Sequence, residues 1–210
     1  MYEFLFEPRE YETKIGKITI RHRDYADEED IIRILESYGR LHPDSYRSLY
    51  GFFIYEFRFL AIYDREKVGL VEFERIDSTH GHIGYVLVVP EYRGNGIGTA
   101  LVKHALYILK RFGIKHVRAV TEYYNEPSIR MLKRAGFEEV DPKFILERFG
   151  KETYERLMRR FVFIETTDIV LHRELRFLGC VLEALIGKKG GKIEGDSLLV
   201  RRKGVVMFIY

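Results

Sequence analysis

The sequence predicts an α/β (α+β) chain: a mixed, mainly antiparallel central sheet with flanking helices, followed by a small C-terminal α+β appendage. Three observations carry that expectation. Three strand-like runs, 59–63, 68–73 and 82–89, are joined by links short enough to force antiparallel pairing. After Val89 the pattern changes to helix, strand, helix over about 98–135, which adds a parallel crossover. The 210 residues, 46% hydrophobic and 32% charged, have the balance of a folded domain able to bury a sizeable core.

Taken in order, residues 1–17 stand as an N-terminal extension to a domain over 18–141. Ile18 to Arg21 alternates like a short strand. Asp27 is placed to cap a helix over 28–38, where Ile31, Ile32, Ile34 and Leu35 recur at helical spacing, and Gly39 and Pro43 break it. Aromatics crowd the next stretch, from Tyr46 and Tyr50 through Phe59, which should hold a second short helix leading into a strand. Turns at 64–67 and 77–81 separate the three strands. A helix over about 98–112, a strand over 117–121 and a helix over about 126–135 follow. Gly136-Phe137 closes the last helix, with glycine free to take positive φ and an apolar residue behind it. Residues 142–210 form the second unit: a charged helix over 151–160, a β-rich run at 161–164, an apolar helix over 171–186, and a hairpin of 197–202 and 205–210 around Lys203-Gly204.

Composition excludes several function classes. Cys180 is the single cysteine, set in an apolar run, so no internal disulfide and no cysteine-based metal centre can form. No metal site is expected. The amino terminus lacks the basic start and apolar core of a signal peptide, and no apolar run approaches the roughly 20 residues needed to span a bilayer. A cytoplasmic protein is expected. There is no glutamine, and Asn95 and Asn125 are the only asparagines; beside abundant Lys, Arg and Glu this points to a thermophilic source. From residue 142 onward 14 Lys plus Arg face 9 Asp plus Glu, leaving 21 against 23 before it. That basic second unit suits an acidic partner, but no nucleic-acid motif accompanies it, which argues against nucleic acid.

The most informative segment is Val86 to Thr99, VLVVPEYRGNGIGT. A strand runs into Pro-Glu-Tyr-Arg, then glycines at 94, 96 and 98, then an apolar-faced helix. Three glycines in five residues let the backbone turn tightly and approach a ligand with no Cβ in the way. The free N–H groups and positive dipole end of the next helix offer a seat for a pyrophosphate, to which Arg93 can add a charge. A Rossmann dinucleotide turn shares some of these features. It is disfavoured because Thr99 occupies its third position, Pro90 to Arg93 separate strand from glycines, and the upstream strands are antiparallel.

Arg93-Gly94-Asn95-Gly96-Ile97-Gly98, preceded by Val-x-Pro-Glu-Tyr, resembles the GNAT acetyltransferase signature. Asn125-Glu126-Pro127-Ser128 followed by Lys133-Arg134-Ala135-Gly136-Phe137 is similar to that family's second signature, and the likeness spans about residues 18–141. The resemblance implies acetyl-CoA as co-substrate and an amine as acceptor. It places the pantetheine arm against Val86, Leu87 and Val88, and the phosphates on Arg93, Gly94, Asn95, Gly96, Ile97, Gly98 and Thr99. Asn125 would contact the cofactor from the start of the last helix; simple capping accounts for it equally well.

The implied reaction is attack of a neutral amine on a thioester. Deprotonating a lysine-type amine of pKa about 10.4 costs roughly 4.6 kcal/mol at pH 7, whereas an α-amino group near 7.8 costs only about 1 kcal/mol. His82 falls where some family members carry a catalytic glutamate, and an imidazole suits a base. Glu122 and, more weakly, Glu72 are alternatives; period-two geometry keeps Glu122 on the face of Val120, where other relatives place a glutamate. The plainer reading is a strand-end histidine near solvent for His82 and a solvated strand end for Glu122. Where many relatives carry a proton-donating tyrosine in the last helix, this chain has Leu132. Tyr124 or Tyr123, earlier in the chain, could substitute, or could simply pack. No residue presents itself as a covalent nucleophile, so direct transfer in a ternary complex is expected. The rival is a module that senses acetyl-CoA without turnover. The second unit could cover the acceptor, extend the sheet or make a homodimer contact.

Overall fold

The computed structural model of the chain describes residues 6–37, 56–140, 142–160, 168–174 and 208–209. In chain order the strands are β1 (Arg9–Thr13), β2 (Gly16–His22), β3 (Phe57–Tyr63), β4 (Glu66–Arg75), β5 (His80–Val88), β6 (His116–Glu122), β7 (Glu138–Glu139), β8 (Asp168–Glu174) and β9 (Phe208–Ile209). The α-helices are α1 (Glu28–Glu36), α2 (Ile97–Arg111), α3 (Glu126–Arg134) and α4 (Pro142–Arg160), the last kinked at Gly150. The described strands form one sheet in the order β1-β2-β3-β4-β5-β6-β9-β8-β7. β1 to β5 run antiparallel and β5 pairs parallel with β6, as a crossover through α2 allows. The mixed, mainly antiparallel sheet expected from the sequence is the sheet observed.

Alternation along the strands assigns the faces. Phe57, Phe59, Val71, Phe73, Ile83, Val117 and Ala119 are buried in the main core, to which α2 brings Leu101, Val102, Ala105, Ile108 and Leu109. Gly81 belongs to the same face, where an added Cβ would stand 3.1 Å from Leu109. The intervening residues turn to the opposite face: Arg58, Glu72, Glu74, His82 and Arg118. A second cluster forms there around Ile145, with Ile76, Val120, Phe144 and Phe149.

Three local expectations are corrected. Asp27 stands at the N-cap of α1 but makes no side-chain cap bond to it. Its carboxylate closes a capping box with Asp24 around a 3₁₀ turn, Tyr25–Asp27, and takes a bidentate bond from Arg21 at 2.6 and 2.7 Å. The guanidinium partner outcompetes the helix amides for the same oxygens. Residues of the N-terminal extension form β1, whose outward positions are polar because it edges the sheet. The apolar helix expected over 171–186 begins as strand: β8 covers 168–174 and pairs antiparallel with β6 at Thr121↔Ile169 and Glu122↔Asp168. An open β6 edge rewards the β-branched Ile169 and Val170 more than a helix would. The rest of that helix, the helix expected within 46–55, the run at 161–164 and most of the hairpin lie outside the described residues.

Candidate active site

Adjacent strands β5 and β6 part company at a defined point. They pair from His80↔His116 to Ile83↔Ala119 and no further. Beyond it β5 stays bonded to β4 through Val86↔Val71, Leu87↔Leu70 and Val88↔Gly69, while β6 keeps its pairing with β8 as far as Glu122↔Asp168. The register shifts between Val71 and Phe73, so Gly84 and Tyr85 stand opposite the single residue Glu72. Such a bulge bends its strand and aims it away from a neighbour. The β5 edge from Gly84 to Val88 therefore offers backbone donors and acceptors to a ligand lying between the strands. Val86 and Val88 are half-buried along it, and Leu87 is buried.

At the end of this gap β5 runs through a 3₁₀ turn, Pro90–Tyr92, into the glycines. Gly94 and Gly96 have φ of +78° and +91°, and a Cβ at either would meet nothing within 4 Å. Their conformation needs glycine, and the space above them is open. The first bond of α2 runs from the Ala100 N–H to the Gly96 carbonyl, so the amides of Ile97, Gly98 and Thr99 precede it and project at the positive end of the dipole. This is a cradle an anion fits.

The polar residues of the turn hold its shape. Asn95 Nδ2 donates to the Tyr92 and Arg93 carbonyls, and its own backbone carbonyl accepts from the Lys14 N–H in the β1–β2 turn at 3.0 Å. Arg93 Nε donates to the Val88 carbonyl at 2.8 Å, folding the side chain back over the end of β5. Asn125 caps α3, accepting from the Ser128 N–H at 3.4 Å. Gly98 acts through packing instead. A Cβ there would fall 2.6 Å from Met131 Sδ, so its bareness lets α3 approach α2.

His82 lies one residue before the strands separate, buried on the face opposite α2. It is the Cα partner of Glu74 on β4 and of Arg118 on β6. Residues opposed in register share a face with Cβ atoms about 5 Å apart. Carboxylate, imidazole and guanidinium thus form one row, exposed by only 4%, 6% and 0%. Burial pulls the Arg118 guanidinium down to about 9, offset in part by Asp77. Sequence reasoning misses both Glu74 and Arg118; the available signal is a charged residue at an alternating position inside an otherwise apolar strand.

The other catalytic candidates are placed differently. Glu72 is buried and ion-paired with Arg58, its register partner across β3 and β4. Burial raises its pKa while Arg58 opposes the rise. Its carboxylate is thus engaged by a guanidinium. Glu122 closes β6 in register with Asp168. Tyr123 and Tyr124 follow, 57% and 52% exposed, ring edge to ring face at 5.2 Å. Leu132 is buried in the main core, so that helix position delivers no hydroxyl. Among the described residues no group of three or more His, Cys, Asp or Glu is arranged to hold a metal, and no helix is long and apolar enough to cross a membrane.

The chain that builds the parted strands and the glycine cradle is similar to known proteins in sequence and fold. The model of the acetyltransferase (GNAT) family matches residues 23–137, more than half of the chain. The chain belongs to the GNAT acetyltransferase family. It is 31% identical to an N-alpha-acetyltransferase of Sulfurisphaera tokodaii over 150 residues, which cover 61% of this chain and 86% of that one. It is 31% identical to N-alpha-acetyltransferase 30 of Schizosaccharomyces pombe over 96 residues and 29% identical to spermidine N(1)-acetyltransferase of Escherichia coli over 110. Those alignments cover 42% and 51% of this chain, and 64% and 59% of the two relatives. Among solved structures, the GNAT domain of an S. lividans protein called PAT superposes with a TM-score of 0.54 at 18% identity, covering 64% of this chain and 89% of that one. Ard1 from Thermoplasma volcanium superposes at 0.51 with 22% identity, covering 59% and 84%. At such identities these two establish the GNAT fold. The parted strands, the cradle and the crossover all lie inside the residues that the family model matches.

Proposed function

We propose that the protein transfers the acetyl group of acetyl-CoA to an amine by direct attack in a ternary complex. The observation that carries this reading is the gap between β5 and β6, with an anion cradle at its outer end and buried His82 at its inner end. The amides of Gly94 to Thr99 would bind the pyrophosphate, aided by Arg93. The β5 edge at Val86, Leu87 and Val88 would pair with the amide-bearing pantetheine arm as a third strand would. The bulge at Gly84 and Tyr85 leaves a backbone N–H near the inner end to receive the oxyanion that forms as the thioester carbonyl is attacked.

The amine nitrogen bonds to the carbonyl carbon, the C–S bond breaks, and coenzyme A leaves as thiolate. His82 takes the proton that the amine releases, with Glu122 as the alternative base. Tyr124, half exposed just after β6, is the candidate to protonate the departing sulfur. An imidazole of ordinary basicity suffices for an α-amino group, whose deprotonation costs about 1 kcal/mol at pH 7, far better than for a lysine side chain. The S. tokodaii N-alpha-acetyltransferase, matched over most of its length, supports the same acceptor class. We therefore place peptide amino termini first among acceptors and polyamines second.

A screen of thiol release with acetyl-CoA against peptide amino termini, polyamines and amino acids tests the reading. His82→Gln should retain coenzyme binding by calorimetry and lose at least about 100-fold in kcat. Burial of Leu132, where a hydroxyl would serve as acid, favours a second reading: a module that senses acetyl-CoA. Tight coenzyme binding without thiol release for any acceptor would select it.

A further inference from the structure

Arg118 occupies an unfavourable place for a cation. Its side chain has no solvent exposure, and none of its three guanidinium nitrogens has a hydrogen-bond partner among the described residues. The ring of Phe149 lies 5.8 Å from the guanidinium carbon. A buried charge left so poorly solvated destabilises a fold, and a methionine of similar length would pack there more favourably. The register supplies a reason to keep it. Across three strands the row reads Glu74, His82, Arg118, one residue before β5 and β6 separate.

Resting on the proposal that His82 is the base, we propose that Glu74 and Arg118 are positioning residues that bracket it and set its proton affinity from opposite sides. With His82 neutral, the row carries one negative and one positive charge and is balanced. When His82 accepts the proton of the attacking amine, the row gains one positive charge. Glu74 favours that state and orients the ring for it; Arg118 opposes it and keeps the imidazole unprotonated, ready to act, between turnovers. Two opposed charges in a water-poor site hold the base poised near neutrality, where proton transfer in both directions is fast. Of the other charged groups on this face, Asp77 favours the charged state of Arg118, and each has partners of its own. Arg58 pairs with Glu72. Asp77 bonds Thr79 and His80. His80 and His116 stack at 5.2 Å against Phe149, over which Arg148 also lies.

The test is the pH dependence of kcat/KM for one amine, the same in every variant so that its own titration cancels. Glu74→Gln should move the acidic limb down by about one pH unit and lower kcat roughly tenfold or more, while Arg118→Met should move it up by a similar amount. Arg118→Lys should keep the wild-type limb. The KM for acetyl-CoA should change little in any of them. Arg118→Met should be as stable as the parent or more so by chemical denaturation, which keeps the variant usable. Limbs that stay in place, or move in the same direction in both variants, overturn the bracket. An acidic limb that survives unshifted in His82→Gln overturns the assignment of the base itself, a distinct failure.

Discussion

His104 sits inside the core with no exposed surface, its Nδ1 bonded to the Tyr11 hydroxyl at 3.0 Å and its ring against Phe59 at 4.6 Å. Burial, reinforced by Arg9, pulls its pKa down to about 3. The sign of the linkage follows. In the unfolded chain an imidazole titrates near 6.5, so between that pH and about 3 the unfolded state holds a proton that the folded state refuses. Stability is therefore lost as pH falls through this window, by up to about 1.4 kcal/mol per pH unit. His104→Phe should flatten the dependence of unfolding free energy on pH by one proton between about pH 6 and 4, read from urea melts. An unchanged slope would mean that the ring is protonated in the fold. At this scale the sequence shows a histidine at a core-facing helix position but not what surrounds it, because its burial is set by strands distant in the chain.

The packing of α3 on α2 is a matter between elements. A Cβ at Gly98 would stand 2.6 Å from Met131 Sδ. Met131 Sδ lies far out on a flexible side chain that can swing aside, so Gly98→Ala alone should destabilise the protein by no more than about 1 kcal/mol. In a Met131→Ala background the clash is gone, and the same change should stabilise by up to about 1 kcal/mol, as Ala exceeds Gly inside a helix. Thermal or chemical melts of the four proteins close the cycle, and additive effects would refute the contact. The glycine turn, α2, β6 and α3 are all legible in the sequence, since periodicity and punctuation agree there and cap residues mark the ends. Asp27 reads as a helix cap because residue type and position fit; the competing partner, Arg21, becomes visible only when β2 and α1 are brought together. β1 escapes notice because Arg9–Thr13 carries three charged residues around the single aromatic Tyr11 rather than alternating apolar residues, the pattern of an edge and not of a core strand. The row through His82 requires the register of three strands, which no single segment specifies.

Across the whole molecule, the parts beyond residue 141 complete the sheet. β8 and β9 both pair with β6, and Ile145 of α4 buries against Ile76 and Val120. A chain ending at 141 should consequently expose the outer edge of β6, melt several degrees lower and self-associate, as unpaired edge strands do; differential scanning calorimetry and sedimentation would show it. Equal melting and equal mass would mean that the second unit stands apart. Fold class is readable because the antiparallel run and the crossover each leave their own spacing. The role of the residues after 141 is not, since a strand that only completes another's edge carries little pattern of its own.

The bond from the Lys14 amide to the Asn95 carbonyl ties the tip of the first hairpin to the cradle. Two stretches far apart in the chain are thereby yoked, and the loop cannot splay without tugging the outermost ribbon with it. Whatever sits on those glycines meets a surface already braced from the far rim, so the ordering that a slack loop would have to undergo at each encounter has been completed during folding.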